Sequence, residues 1–293
     1  MTEEKPTMHD KLSHYLTAWH LSDPQPLATT ATSHLYRVNT GDDQAVLKIL
    51  TELGQEEANG ALALRYFDGH GAVRLLRSDD GAHLLEYASG ENLVGKVADG
   101  NDERAAAIIG DVLNQLHTVS TAPIPEKLTP LKVWFRELFR KAALDQGNGI
   151  DSIYTRAAPL AERLLDQNRD VRVLHGDIHH ENIRQHPTRG WLAFDPKGLV
   201  GERTYDTANT LCNPWNMLEV VHNETRLLTI SGILAEKLRI DHTRLLAFVY
   251  IYACLSASWI ASDGADASQP LTVASLVEPH IRHLSFEEVT NSP

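Results

Sequence analysis

A chain of 293 residues, 42% hydrophobic and 23% charged, has the composition of an ordinary globular protein and the length to bury a sizeable core in one two-lobed unit or two domains. Its formal charge of −12 excludes non-specific nucleic-acid binding, which needs basic surface to displace counterions, and two cysteines, Cys212 and Cys254, are too few for a disulfide framework. Residues 1–10 carry acids and no apolar stretch of a signal peptide, so a cytoplasmic protein is expected.

In chain order, residues 6–19 predict a helix with Leu12, Tyr15, Leu16 and Trp19 at helical spacing, ended by Pro24 and Pro26. Residues 27–31 and 35–38 predict two strands joined by a turn of small polar residues. A third strand, 44–50, alternates Ala45, Leu47 and Ile49 with Val46, Lys48 and Leu50, and Lys48 is its only charge. A helix over 54–67 and strands over 72–76 and 83–87 complete a small sheet-containing half. Helices are expected over 102–119, 131–144, 152–168, 205–212, 224–238, 244–260 and 271–283. Residues 245–262 are uncharged and reach the lower edge of a membrane span. Tyr250, Tyr252, Ser256 and Ser258 interrupt them, and the segment is read as a buried core helix with no membrane partner.

The chemistry concentrates in Val173-Leu174-His175-Gly176-Asp177-Ile178-His179-His180-Glu181-Asn182 and, after a hairpin, Trp191-Leu192-Ala193-Phe194-Asp195-Pro196-Lys197. Phosphoryl transfer from ATP needs one carboxylate to orient the attacking hydroxyl and take its proton. It also needs an amide oxygen and a second carboxylate to hold Mg2+ against the triphosphate. Asp177, Asn182 and Asp195 supply that set in the order of a kinase catalytic loop and its magnesium Asp, and Mg2+ is content with few protein oxygens. Ala45-Val46-Leu47-Lys48 has the form of the kinase strand whose lysine reaches the α and β phosphates and pairs with a helix Glu; Glu56 and Glu57 both qualify. Two other classes compete. A metal-dependent hydrolase would use the crowding of His175, Asp177, His179 and His180, but no H-E-x-x-H or Cys/His ligand spacing accompanies them. A nucleotide-binding module that has lost catalysis predicts a damaged acceptor set, and this one is intact.

The form H-G-D-x-H-x-x-N differs from that of protein kinases and resembles the aminoglycoside phosphotransferase and choline kinase superfamily. Residues 190–202, Asp206-Thr207-Ala208-Asn209, Cys212-Asn213-Pro214, Gly71-Ala72-Val73-Arg74-Leu75-Leu76 and Leu84-Leu85-Glu86-Tyr87 resemble its streptomycin 6-phosphotransferase branch, the aminoglycoside/hydroxyurea resistance kinases. The resemblance implies an α+β, protein-kinase-like fold. A nucleotide-binding lobe of antiparallel strands and one helix, residues 1–88, would be hinged to a helical lobe, residues 89–293, with the catalytic loop and acceptor site. It implies ATP and Mg2+ as cofactors and a small-molecule acceptor, a streptomycin-like aminoglycoside at the 6-hydroxyl. An endogenous amino sugar or amino alcohol is the alternative, since fold does not fix substrate.

Residue by residue, the resemblance makes Asp177 the base, His179 a γ-phosphate contact, and Asn182 and Asp195 the Mg2+ ligands. Lys48 would steady the α and β phosphates with Glu57 as its partner, and Thr32 and Ser33 would lie over the phosphates. The Glu86 carbonyl and Ala88 N–H would face adenine. His175 and Asp206 would hold the catalytic loop from behind. Lys197 departs from the Asp-Phe-Gly form and would meet either phosphate or a nearby carboxylate. A polycationic acceptor needs carboxylates, for which Glu202, Asp263 and Asp266 are the candidates.

Overall fold

The computed structural model describes residues 7–119 and 123–282, with the side chains of 55–58 outside that description. Thr7 starts the first helix, α1 (Met8–Ala18), in a capping box with Asp10. Next come β1 (Ser22–Thr29), β2 (Ser33–Thr40), β3 (Asp43–Leu50), α2 (Glu57–Phe67), β4 (Leu75–Ser78) and β5 (Ala82–Glu86). The five strands form one antiparallel sheet in the order β1-β2-β3-β5-β4.

The two-residue period of β3 gives the sheet two different faces. Ala45, Leu47 and Ile49 are fully buried with Val38, Leu84 and Tyr15 beneath α1, each large side chain contributing about 1.5–3 kcal/mol. Val46 and Lys48 face the second lobe, where Val46 packs against the main core and Lys48 reaches Asp195. Pro24 and Pro26, expected to stop the first helix, lie inside β1 instead. That strand is the sheet's edge, where register shifts and a missing N–H are tolerated.

The larger lobe is mainly helical: α3 (Val94–Ala98), α4 (Asp102–Thr118), β6 (Thr129–Pro130), α5 (Leu131–Trp134), α6 (Arg136–Gly147), α7 (Ile153–Asp166), β7 (Val171–Leu174), β8 (Ile183–His186), β9 (Gly190–Ala193), β10 (Leu199–Glu202), α8 (Ala208–Leu211), α9 (Leu218–Val221), α10 (Glu224–Leu238), α11 (His242–Ser262) and α12 (Ser268–Arg282). The helix expected over 131–144 breaks at Phe135 into α5 and α6. This is the α+β, kinase-like architecture that the resemblance implies.

Among the described residues, α11 is the one helix long and apolar enough to cross a membrane, and 72% of its most apolar window is buried inside the protein. It packs against α6, α7, α8 and α12, so its all-round apolar surface forms the centre of the lobe.

Two short pairings set the site. In the β8–β9 hairpin Ile183 pairs with Ala193, and the ladder ends where Phe194 N–H donates to the Asn182 carbonyl at 3.0 Å. Asn182 and Asp195 therefore emerge at the same end of one hairpin. β7 pairs with β10, Leu174 opposite Leu199, and stops just before His175.

Candidate active site

Immediately after β7, one buried carboxylate takes two successive peptide N–H groups. Asp206 Oδ2 accepts from His175 N at 3.0 Å and Oδ1 from Gly176 N at 2.7 Å, while His117 Nε2 lies 2.8 Å from Oδ2. Gly176 has φ 84° and leaves no room for a Cβ, which would lie 2.8 Å from the Leu199 side chain. His175 is fully buried. Its Nδ1 accepts from Asp177 N at 3.3 Å, so Nε2 carries the proton and donates to the Phe194 carbonyl at 3.0 Å. Burial pulls its pKa down and keeps it neutral.

Asp177 follows in this braced loop, its side chain 23% exposed. Oδ1 accepts from Asn209 Nδ2 at 2.7 Å, and Oδ2 lies 3.3 Å from both Asn182 Nδ2 and Lys197 Nζ. Asn213 Nδ2 in turn donates to Asn209 Oδ1 at 2.7 Å. Sequence reasoning assigns Asn209 and Asn213 no role; the available signal is spacing, Asn209 one helical turn past Asp206 and Asn213 one turn further.

Asp195 has a left-handed backbone, φ 62°, which Asp tolerates better than most residues. Lys48 Nζ is 2.5 Å from its Oδ1 and Lys197 Nζ 3.4 Å from its Oδ2. Burial pushes the Asp195 carboxyl up, but Lys197 and Lys48 outweigh it and hold the group well below the usual carboxylate range. The Asn182 amide nitrogen donates to the Asp177 carbonyl at 3.0 Å, which leaves its Oδ1 as the acceptor for a cation. One ionised carboxylate and one amide oxygen beside Asp177 fit a hard divalent cation that keeps most of its waters. The loop after Asp195 is pressed onto α2: a Cβ at Gly198 would sit 2.0 Å from the Asn59 carbonyl oxygen, and one at Gly60 2.3 Å from that of Pro196.

The histidines of the motif do not converge. His175 bonds to Phe194, His179 Nδ1 lies 3.1 Å from Glu181 Oε2, and His180 Nε2 is 3.8 Å from Asp102 Oδ1. Among the described residues no group of three His, Cys, Asp or Glu side chains is arranged to hold a metal, which counts against the hydrolase reading. His179 Nε2 stands 3.9 Å from Asp177 Oδ1. The Glu57 side chain, expected as the partner of Lys48, lies outside the described residues; Lys48 pairs with Asp195.

Between the lobes an apolar slot is walled by Leu27, Leu35, Val46, Val73, Leu85 and Phe194, with Glu86, Tyr87 and Ala88 along one edge. The Glu86 carboxylate serves a different purpose from its backbone: it accepts from Arg74 N at 2.9 Å and is paired with Arg189. Thr32 lines a cavity shared with Pro196 and Lys197. Ser33 needs correcting. It is 1% exposed, with its N–H donating to Thr30 Oγ1 at 3.0 Å and its hydroxyl 3.2 Å from the same atom, so it builds the turn instead of facing phosphate.

A second pocket opens on the far side of Asp177, lined by Trp134, Arg136, Lys197, Tyr252 and Trp259. Trp134 and Trp259 meet edge to face, ring centres 5.1 Å apart, and Trp134 Nε1 donates to the Tyr205 hydroxyl at 2.7 Å. The carboxylates expected to hold a cationic acceptor are elsewhere. Glu202 is 1% exposed and clamped by Arg244, whose Nε and Nη2 each lie 2.6 Å from it, by Thr204, and by Arg169 N. It cannot reach a ligand without stranding a buried guanidinium. Asp263 and Asp266 are exposed; Asp263 ends α11 and Asp266 accepts from Ser268 N at the start of α12, and neither lines the pocket beside Asp177.

Two lobes of this topology, with Asp177, Asn182 and Asp195 gathered beside an apolar interlobe slot, define the class as a kinase-like phosphotransferase. Residues 18–264 match the family described as aminoglycoside/hydroxyurea antibiotic resistance kinase, and the chain belongs to that family. It is 38% identical over 254 residues to the streptomycin 3''-kinase of Klebsiella pneumoniae, covering 84% of this chain and 91% of the relative. It is 30% identical over 235 residues to the streptomycin 6-kinase of Streptomyces griseus, covering 79% and 75%. Among solved structures, an amicoumacin kinase in complex with AMP-PNP and Ca2+ superposes with a TM-score of 0.62 at 16% identity, covering 96% of this chain and 97% of that one; this likeness shows the fold alone.

Proposed function

We propose that the chain transfers the γ-phosphoryl group of ATP to a hydroxyl of a streptomycin-type aminoglycoside and so inactivates it in the cytoplasm. One observation carries the reading: Asp177 sits between the charged set of Lys48, Asn182, Asp195 and Lys197 and the pocket walled by Trp134, Tyr252 and Trp259. A bond forms from the acceptor oxygen to the γ-phosphorus, the bond to the β,γ-bridging oxygen breaks with its electron pair leaving on ADP, and the hydroxyl proton passes to Asp177. The kinase family shown over residues 18–264, together with the Asn182 amide oxygen and the Asp195 carboxylate beside Asp177, supports a nucleotide with a divalent cation. Mg2+, held by Asn182 Oδ1 and Asp195, would neutralise charge on the β and γ phosphates.

In this reading the base of ATP fills the apolar slot, with the Glu86 carbonyl and Ala88 N–H at its edge, and Lys48 steadies the α and β phosphates. Thr32 covers the phosphates, and His179 lies at the γ end. The aromatic pocket suits the guanidinium groups of a streptomycin-type drug, which stack on Trp faces with cation–π attraction.

The 6-hydroxyl is the acceptor implied by the sequence motifs. The 38% identity to a 3''-kinase favours the 3''-hydroxyl as a second reading. Coupled ADP release with streptomycin, ATP and Mg2+, followed by NMR assignment of the phosphorylated carbon, tests both. Turnover of amino alcohols but not streptomycin would overturn the aminoglycoside reading while leaving phosphotransfer intact.

A further inference from the structure

A cavity that shares no lining residue with the cleft opens between the ends of α4 and α10 and the segments flanking β7 and β10. Arg172, Arg203, Lys237 and Arg239 line it against a single lining carboxylate, Asp170. Four cations in one cavity repel each other, and they gather here in a chain whose formal charge is −12. The acids seen beside them only partly compensate. Asp170 serves both Arg203, at 2.5 Å, and Arg172, at 2.7 Å, while Asp111 takes Lys237 at 2.6 Å. Among the described residues, Asp170 and Asp111, with Asp206 behind His117, set three acids against four cations and leave an excess of one positive charge.

Two buried nitrogens of the lining also have no partner among the described residues, Arg172 Nε and His117 Nδ1. A buried polar atom without a partner, here the Arg172 Nε donor and the His117 Nδ1 acceptor, is rare because its desolvation goes uncompensated. We infer that this cavity binds a small phosphate-class anion and that its occupancy stiffens the catalytic loop.

The anion's oxygens meet the guanidinium and ammonium groups, for which phosphate geometry is well matched. His117 connects the cavity to the active site. Its Nε2 proton is directed at Asp206 Oδ2, so Nδ1 accepts from a P–OH group or, in the imidazolium form, donates to a phosphate oxygen. Asp206 holds the peptide N–H groups of His175 and Gly176, directly ahead of Asp177. A ligand that fixes His117 therefore fixes the strut behind the loop.

The test uses the full chain with AMP-PNP and Mg2+ in excess, so that added inorganic phosphate reads a site outside the cleft. Thermal midpoints are compared with chloride at equal ionic strength, together with hydrogen exchange at residues 175–177. Phosphate should produce a saturable rise of about 2–4 °C and slow exchange at those amides. Arg172→Gln combined with Arg239→Gln should lose both effects and keep the phosphate-free turnover. Lys237→Gln with Arg239→Gln replaces that pair if it does not fold. Equal responses in wild type and variants, or a response that chloride matches, would overturn the inference. Because these variants lie away from the cleft, a failure to bind AMP-PNP would be distinguished as a failure of the nucleotide reading.

Discussion

The two sides of the cleft around Asp177 are built on different principles. On the side proposed for the phosphates, the charges seen are tied together over 2.5–3.4 Å, Lys48 to Asp195 and Lys197 to both Asp195 and Asp177, with the neutral Asn182 amide 3.3 Å from Asp177. On the side proposed for the acceptor, Trp134 of α5 packs against Trp259 of α11 and, with Tyr252, forms aromatic walls that also carry Arg136 and Lys197. A charge developing in a transition state is best met by dipoles and charges already in place. A large ligand is held instead by broad surfaces whose contributions are small and separable. In the proposed reading, chemistry and specificity reside on separate walls of the cleft that share Lys197.

The largest test of that division is Asp177→Asn, which should lower kcat by about 10²- to 10⁴-fold while the Michaelis constants for ATP and streptomycin stay near those of the wild type. Near-native turnover would remove Asp177 as base. Glu202→Gln addresses the opposite extreme, a carboxylate that belongs to neither side. Stranding Arg244 should destabilise the fold by about 3–5 kcal/mol in urea titrations, and the folded fraction should keep its Michaelis constant for streptomycin. A raised Michaelis constant with unchanged stability would return Glu202 to the acceptor site.

Asp102, paired with Arg226 at 2.5 Å, offers a pH-resolved version of the same structural effect. Burial pushes its carboxyl up, but the His180 ring 3.8 Å away and the hydrogen-bonded Arg226 guanidinium outweigh this and bring its pKa down to about 2. A carboxyl depressed in the folded state stabilises above its unfolded value of about 3.9, and that stabilisation is lost as pH falls toward 2. Asp102→Asn should therefore cost about 2 kcal/mol at pH 7, with the gap to wild type narrowing below about pH 4. A gap constant with pH would refute the ion-pair account.

Asn182→Ala should raise the Mg2+ concentration for half-maximal rate by about tenfold or more; unchanged metal dependence would release Asn182 from that role. The smallest effect belongs to the acceptor wall. Trp259→Ala should raise the Michaelis constant for streptomycin about fivefold, near 1 kcal/mol, and leave that for ATP unchanged. A fall in kcat without a change in that constant would put Trp259 on the chemical side and break the division.

While the first and fourth strands lie displaced, at Ser22–Thr29 and Leu75–Ser78, the amino-acid sequence by itself determined the strands over 35–38, 44–50 and 83–87, the long helices, the hairpin after the catalytic loop and the spacing of Asp177, Asn182 and Asp195. Those features depend on short-range periodicity and on a spacing that one hairpin turns into proximity. Its local rules misplaced Pro24 and Pro26, because a proline that stops a helix is equally at home on an edge strand, and edge status is known only when the sheet is complete. Tertiary structure alone decided the rest. Glu202 reads as an acceptor-binding acid until Arg244, 42 residues later, arrives beside it in the core; Trp134 and Trp259 become one wall only when α5 packs near the end of α11. Burial and long-range pairing are properties of the assembled core, and a carboxylate's neighbours, more than its position in the chain, decide whether it meets a ligand or holds the fold.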